Sequence, residues 1–96
     1  MLFLDDVPDI RSTIMRLKSD LAHIIEPDFG LLDQLLRLEV LTHSQHAEVC
    51  REETVFERND AMLDLLVSQD QCDQFVVALQ QTGQQHVVNY ISQNGG

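Results

Sequence analysis

Tryptophan is absent from this chain of 96 residues, and aromatic side chains make up only 5% of it. Only two prolines and four glycines interrupt regular backbone structure. Hydrophobic residues nevertheless account for 44%, with leucine the most frequent of them. This composition favours packed helices over a β-sandwich, which needs alternating β-branched and aromatic residues. We therefore expect one all-α domain over residues 1–96, with its helical core at about 7–93.

Positive charge is also scarce, since 6 lysines and arginines face 16 aspartates and glutamates, for a net charge of −10. This balance argues against nucleic acid or an anionic membrane as the main partner. A basic protein surface is the more natural target for such a chain. No apolar run reaches the ~18 residues that a membrane span requires.

Cysteine occurs only at Cys50 and Cys72, without the spacing of a CxxC motif. One disulfide between them stays open as an alternative, but two buried free thiols in a reducing cytosol is the preferred interpretation. The apolar residues 1–4 are too few for a signal peptide, and two aspartates follow them directly. We therefore expect a cytoplasmic protein.

Apolar residues at helical spacing predict a first helix over 7–25, which the residue before Pro27 ends. Asp28 is expected to cap a second helix over 29–38. Thr42 and Gln45 have the spacing of a capping box, which predicts the start of a short third helix.

Three further helices are predicted over residues 55–67, 71–81 and 84–93. Thr82-Gly83 has the form of a helix stop, with glycine just beyond the last helical turn. Short links between six short helices indicate an orthogonal bundle. Phe56 and Cys50 are expected in its core. The other principal core positions are predicted to be Leu17, Leu21, Leu35, Leu63, Phe75, Leu79 and Val88.

The order and spacing of four segments carry a family resemblance. They are MRLKSDL at 15–21, LLDQLLRLEVLT at 31–42, RNDAMLDLL at 58–66 and FVVALQQTGQQHVVNYI at 75–91. With these four segments the chain resembles a caspase-recruitment domain (CARD) of the death-fold superfamily, and it is similar to the CARDs of initiator caspases and adaptors. The resemblance implies a six-helix antiparallel, orthogonal bundle with Greek-key topology. It covers roughly residues 10–93.

The resemblance further implies a non-enzymatic interaction domain without a cofactor, acting in apoptosis or innate immune signalling. Such a domain recruits a caspase, adaptor or sensor by pairing a basic face with the acidic face of another CARD. The basic face expected here consists of Arg11, Arg16, Lys18 and Arg58. The acidic face expected here consists of Asp28, Asp33, Glu39 and Glu48.

The fourth helix departs from the family pattern. Asp60 and Asp64 follow Arg58 where a second basic residue is common, and residues 68–71 read SQDQ where many members have a basic residue and glycine. We therefore expect weak or no self-association, and a preference for a more basic partner.

Three other interpretations compete with this one. The charged residues could be ordinary solvated helix faces. The chain could be another death-fold module, of the death-effector or pyrin type. It could also be a small metal-binding helical protein that uses His43, His46 and Cys50 together with Cys72 or His86, although this spacing matches no zinc signature. Neither a phosphate loop nor a nucleophile elbow is present in the sequence, so no catalytic residue is predicted.

Overall fold

A computed structural model describes residues 9–94 of the chain. Helix α1 (Ile10–Arg16) begins at Asp9, whose carboxylate accepts hydrogen bonds from the Ser12 amide at 3.2 Å and the Ser12 hydroxyl at 2.7 Å. These two bonds lower the pKa of Asp9. The predicted helix start at Val7 lies outside the described residues.

The predicted single helix over 7–25 is two helices, which corrects the expectation. Leu17 has a ψ of 6°, and α2 (Lys18–Ile24) follows it directly. The backbone ladder continues across this position, since the Leu17 amide donates to Thr13 and the Leu21 amide donates to the Leu17 carbonyl. The break is therefore a local kink that keeps both segments against one core.

The second predicted helix starts later than expected. A π-helical turn (Pro27–Leu31) comes first, with non-helical dihedrals at Phe29 and Gly30, and helix α3 (Leu32–Arg37) follows it. The expectation that Asp28 caps this helix was wrong, because no side chain caps the turn. Gly30 has a φ of 99°, a conformation that glycine adopts without steric cost.

Helices α4 (His43–Cys50), α5 (Val55–Asp64) and α6 (Gln69–Gln81) each begin with a complete capping box. The box predicted at Thr42 and Gln45 is confirmed. The other two boxes pair Thr54 with Glu57 and Ser68 with Gln71. The box at Ser68 starts α6 at residue 69, two residues before its predicted start. Helix α5 ends at Asp64, three residues before its predicted end at residue 67.

Helix α6 ends at the predicted Thr82-Gly83 stop. Gly83 has a φ of 78°, its amide donates to the Gln80 carbonyl, and the Gln84 amide donates to Leu79 at 2.8 Å. These two bonds form a Schellman motif, which turns the chain into helix α7 (Gln85–Asn94).

The helices pack around one apolar core. Helix α2 makes its most extensive packing with α5, α1 lies against α6 and α7, and α3 lies against α4 and α6. All seven predicted core positions are buried: Leu17, Leu21, Leu35, Leu63, Phe75, Leu79 and Val88. With α1 and α2 counted as one kinked helix, residues 9–94 form the predicted six-helix, all-α bundle.

Two residues expected in the core are not there. Phe56 is 39% exposed, and its ring lies 4.8 Å from the ring of His23. It occupies the second position of α5, and the apolar face of that helix contains Met62 and Leu63 instead. Cys50 ends α4 and is exposed, whereas Cys72 is buried as expected. Both thiols are free, so the alternative of a disulfide is excluded for this structure.

Two buried amides close the end of α2. The Asn59 side chain donates to the carbonyls of Ala22 and Ile25, at 2.8 and 2.9 Å. The Gln84 side chain accepts from the Glu26 amide and donates to the Glu26 carbonyl, both at 2.8 Å. A helix end leaves several carbonyls without intrahelical partners, and burying them unpaired is costly. Asn59 and Gln84 therefore allow the chain to turn inside the bundle.

We predict that Asn59→Ala lowers the free energy of unfolding by about 2–4 kcal/mol, because it leaves two buried carbonyls without a donor. Asn59→Asp, which keeps the shape but removes the donors, should also be destabilising. Asn89, which is exposed on α7, provides the control, and Asn89→Ala should change stability by less than about 0.5 kcal/mol. Urea unfolding followed by circular dichroism measures all three. Equal stabilities for the Asn59 and Asn89 variants would contradict the capping role.

Candidate interaction surface

Acidic side chains concentrate between the end of α2 and the start of α5. Residues 26–53 contain seven of them against two arginines, and all seven are exposed. Four of these acids form the predicted acidic surface: Asp28, Asp33, Glu39 and Glu48. Within the described chain, no cation lies within salt-bridge distance of Glu39 or Glu48. Both carboxylates therefore form no ion pair with the described residues and are exposed to solvent.

Glu39 is presented by an unusual backbone. Its φ is 63°, the only positive value among the described non-glycine residues. Its amide donates to Leu36, and the Val40 amide donates to the Leu35 carbonyl at 2.9 Å, so residues 35–40 form a Schellman motif with glutamate where glycine is usual. Val40 and Leu35 are both buried and supply the apolar contact of that motif. This conformation is sterically unfavourable for a residue with a Cβ atom.

Asp33 connects α3 to α4. Its carboxylate lies 3.2 Å from Nε2 of His46, and Nδ1 of the same ring lies 3.8 Å from Sγ of Cys50. These three residues and Asp28 line one surface depression of about 150 Å³. The structure thus brings two members of the predicted acidic surface, Asp28 and Asp33, to one site.

Lys18 of the predicted basic surface is paired within the chain. Its ammonium lies 3.1 Å from the carboxylate of Asp60 and forms a second ion pair with Asp64. The hydrogen bonds to Asp64 and Asp60 raise the pKa of Lys18. The two aspartates lie four residues apart on α5, so both face α2 from one side.

Arg58 is also paired, and its partner belongs to the opposite predicted surface. The guanidinium lies 3.0 Å from the carboxylate of Asp28 and donates to the Glu52 carbonyl at 2.8 Å. Its side chain is only 18% exposed. The structure therefore joins Arg58 and Asp28 rather than placing them on separate faces.

Arg11 and Arg16 are the remaining members of the predicted basic surface. Both are exposed on α1, and neither forms an ion pair with a described acid. The Arg16 guanidinium donates to the Asn94 carbonyl at 2.6 Å, which places it beside the end of α7. This part of the surface therefore has two exposed cations that form no ion pair with a carboxylate of residues 9–94.

The predicted metal ligands do not converge on one point. His46 and Cys50 contact each other, but Cys72 lies in the core, and His86 contacts the Ile24 carbonyl at 2.9 Å. Among residues 9–94, no group of three histidine, cysteine or acidic side chains could hold a metal ion. None of the helices described here is long and apolar enough to cross a membrane.

The described residues form an all-helical bundle with charged, exposed helix faces, an architecture that non-catalytic protein-interaction domains of the CARD family share. The family model of the caspase recruitment domain matches residues 10–94, the main part of the chain. The chain therefore belongs to the CARD family, whose members bind other CARD or death-fold proteins homotypically. The comparison with curated proteins and the comparison with solved structures each gave no match.

The ion pairs that Lys18 and Arg58 form within the chain were not predicted from the sequence. A signal for the pairing existed, because Asp60 and Asp64 have the spacing of one helical face next to Arg58. The sequence does not give the packing of α2 against α5, which selects Lys18 as the partner of these acids. The contact between His46 and Asp33 joins two helices and has no local signal.

We predict that Glu39→Gly raises the free energy of unfolding by about 1 kcal/mol, because glycine adopts a φ of this sign without strain. Glu39→Ala is the matched control, since it removes the carboxylate but keeps a Cβ atom in the same conformation. That variant should differ from the parent by less than about 0.5 kcal/mol. Chemical unfolding of the three proteins checks this expectation. A loss of stability in Glu39→Gly would show that the carboxylate itself supports the fold.

Proposed function

We propose that this domain docks its acidic surface onto a more basic CARD and thereby recruits a caspase, adaptor or sensor. The setting would be apoptotic or innate immune signalling in the cytoplasm. The domain contributes binding energy and orientation, while chemistry takes place in an effector brought close by the contact.

The observation that carries this proposal is a difference in the number of exposed charges. Residues 26–53 contain seven exposed acids, whereas Arg11 and Arg16 are the only members of the predicted basic surface without a carboxylate partner in the described chain. Lys18 and Arg58 are already bound to carboxylates of their own chain, at 3.1 and 3.0 Å for the Asp60 and Asp28 contacts. Glu39 and Glu48 are exposed and have no such partner in the described part of the chain. A partner's arginines and lysines would therefore meet unpaired carboxylates at Glu39 and Glu48, whereas Asp28 and Asp33 are already in contact with Arg58 and His46. Within the described chain, a partner's acids would find unpaired members of the basic surface only at Arg11 and Arg16, because Lys18 and Arg58 are already paired.

The strained backbone at Glu39 supports the same surface. Unfavourable dihedrals in native proteins concentrate at functional sites, where the strain positions a group for binding. A glycine at this position would close α3 with less strain. Glutamate in its place adds a charge beside Thr42 and His43, with which it lines one open depression of the surface.

The same asymmetry argues for weak self-association. Two copies would have to pair the acidic surface with a basic surface on which only Arg11 and Arg16 lack a carboxylate partner within the described chain. The net charge of −10 adds repulsion between the copies. We therefore expect a mostly monomeric domain that prefers a basic partner over itself.

Charge reversal tests the two surfaces separately. We predict that Asp33→Arg weakens binding to a basic CARD at least tenfold, because a charge in a desolvated contact contributes several kcal/mol across an interface while contributing little to folding. Arg16→Glu should impair the partners that dock through their own acidic surface. Titration calorimetry against a panel of isolated CARDs measures both, with melting temperatures as the check on folding.

Asp70→Arg is the matched control, because Asp70 is exposed at the start of α6 and belongs to neither predicted surface. It should leave binding within about twofold of the parent. Binding by the parent should also weaken with salt, since the Debye length falls from about 10 Å at 0.1 M to about 3 Å at 1 M. If both Asp33→Arg and Arg16→Glu bind every partner as tightly as the parent, docking through charged surfaces is wrong.

A further inference from the structure

The surface depression between the π-helical turn and α4 contains an exposed thiol beside a base. Sγ of Cys50 lies 3.8 Å from Nδ1 of His46, and Nε2 of that ring lies 3.2 Å from the Asp33 carboxylate. A nucleophile, a base in contact with it and an acid that orients the base form the arrangement that activates nucleophilic side chains in proteins. The three residues come from two helices and line one concave site.

The hydrogen bonds define the roles of the two ring nitrogens. The carboxylate of Asp33 accepts a hydrogen bond, so Nε2 carries the proton in this contact. In the neutral ring, Nδ1 is then unprotonated and faces the Cys50 sulfur, from which it can take a proton. Asp33 thus selects the tautomer in which His46 acts as a base toward the thiol.

Cys72 provides the contrast within the same chain. It is fully buried, and burial raises the pKa of its thiol to about 11. A buried thiol is inert, because the thiolate is the nucleophile and a reagent has no access to it. Any selective thiol chemistry of the native domain therefore falls on Cys50.

We propose that Cys50, His46 and Asp33 form a thiol-modification site that undergoes exchange with small disulfides. As the Cys50 sulfur attacks one sulfur of the reagent, its proton passes to Nδ1 of His46. The reagent's S–S bond breaks, a mixed disulfide forms at Cys50, and the departing thiolate takes the proton back from His46. Cys50 is oxidised and the departing sulfur is reduced, so the step needs no further oxidant.

The charge of the surroundings selects the reagent. Asp33 and Asp28 line the depression, with Asp28 paired to Arg58, and the net charge of the chain is −10. Negative potential raises the local concentration of cations and lowers that of anions. The site should therefore favour cystamine, a cationic disulfide, over the anionic dithiodipropionate, once each rate is normalised to that of the uncharged model thiol N-acetylcysteine methylamide.

The test measures the rate of mixed-disulfide formation with neutral hydroxyethyl disulfide at pH 7, by intact mass and peptide mapping of the chain with both cysteines present. The parent should take up one adduct, at Cys50. His46→Gln should slow the reaction about tenfold. A positioned base in an enclosed site accelerates a reaction by about 10²–10⁴, and the effect should be smaller here because water can also accept the proton at this open site. The matched control His43→Gln, one turn earlier on the exposed side of α4, should stay within about twofold of the parent.

Asp33→Asn should slow the reaction about threefold, as expected for a residue that positions the His46 ring. The reference for this rate is Glu53→Gln, which removes the same charge from an exposed site on the α4–α5 link. Unfolding of a variant would register as a second adduct at Cys72, in which case His46→Asn replaces His46→Gln. The proposal is overturned if the His46 variant reacts as fast as the parent, if His43→Gln slows the reaction equally, or if Cys72 reacts first. No partner domain is used, so the outcome does not depend on the proposed docking function.

Discussion

The turn after α2 is the constraint on which the rest of the structure depends. Residues of two separate segments hold it, Arg58 and Asn59 on α5 and Gln84 before α7. The Asn59 amide binds the last carbonyls of α2, Gln84 binds both backbone groups of Glu26, and the Arg58 guanidinium binds the Asp28 carboxylate. Because polar backbone cannot be buried unpaired, these contacts allow the chain to change direction inside a small bundle. They also fix where α3 begins and hence where Asp33 and Glu39 emerge.

The same contacts decide which charges remain available to a partner. Arg58 stabilises the turn and is therefore mostly buried beside Asp28. Lys18 stabilises the contact between α2 and α5 through Asp60 and Asp64. Cations that hold helices together in this way are less accessible for docking, whereas the acids on α3 and α4 support no helix contact of this kind apart from the one between Asp33 and His46. In the described chain the fold therefore holds Lys18 and Arg58 against carboxylates, while Glu39 and Glu48 stay exposed and unpaired.

Local signals explain which parts of the fold could be predicted from the sequence. The capping box at Thr42 and the stop at Thr82-Gly83 depend on residues within a few positions, so both were predicted correctly. The kink at Leu17 and the π-helical turn after Glu26 depend on packing between distant segments, and the apolar pattern did not reveal them. Cys50 was expected in the core as one of two buried thiols, but it is the last residue of α4 and is exposed.

The acidic surface remains a prediction from composition and family resemblance, and the contacts of Asp28 with Arg58 and of Asp33 with His46 were not predicted. The ion pair between Arg58 and Asp28 joins residues that are 30 positions apart, and no spacing rule connects them. The left-handed conformation of Glu39 could not be predicted from the sequence either, because glutamate is not a residue that is typical of turns with a positive φ.

The central claim is that a basic CARD docks on α3 and α4, and amide chemical-shift mapping tests it most directly. The ¹⁵N-labelled domain would be titrated with an unlabelled basic CARD, and the shift of every backbone amide followed. The account predicts that the largest changes fall on residues 32–50, around Asp33, Glu39 and Glu48. Changes confined to α1 and the end of α7, around Arg11 and Arg16, would contradict it.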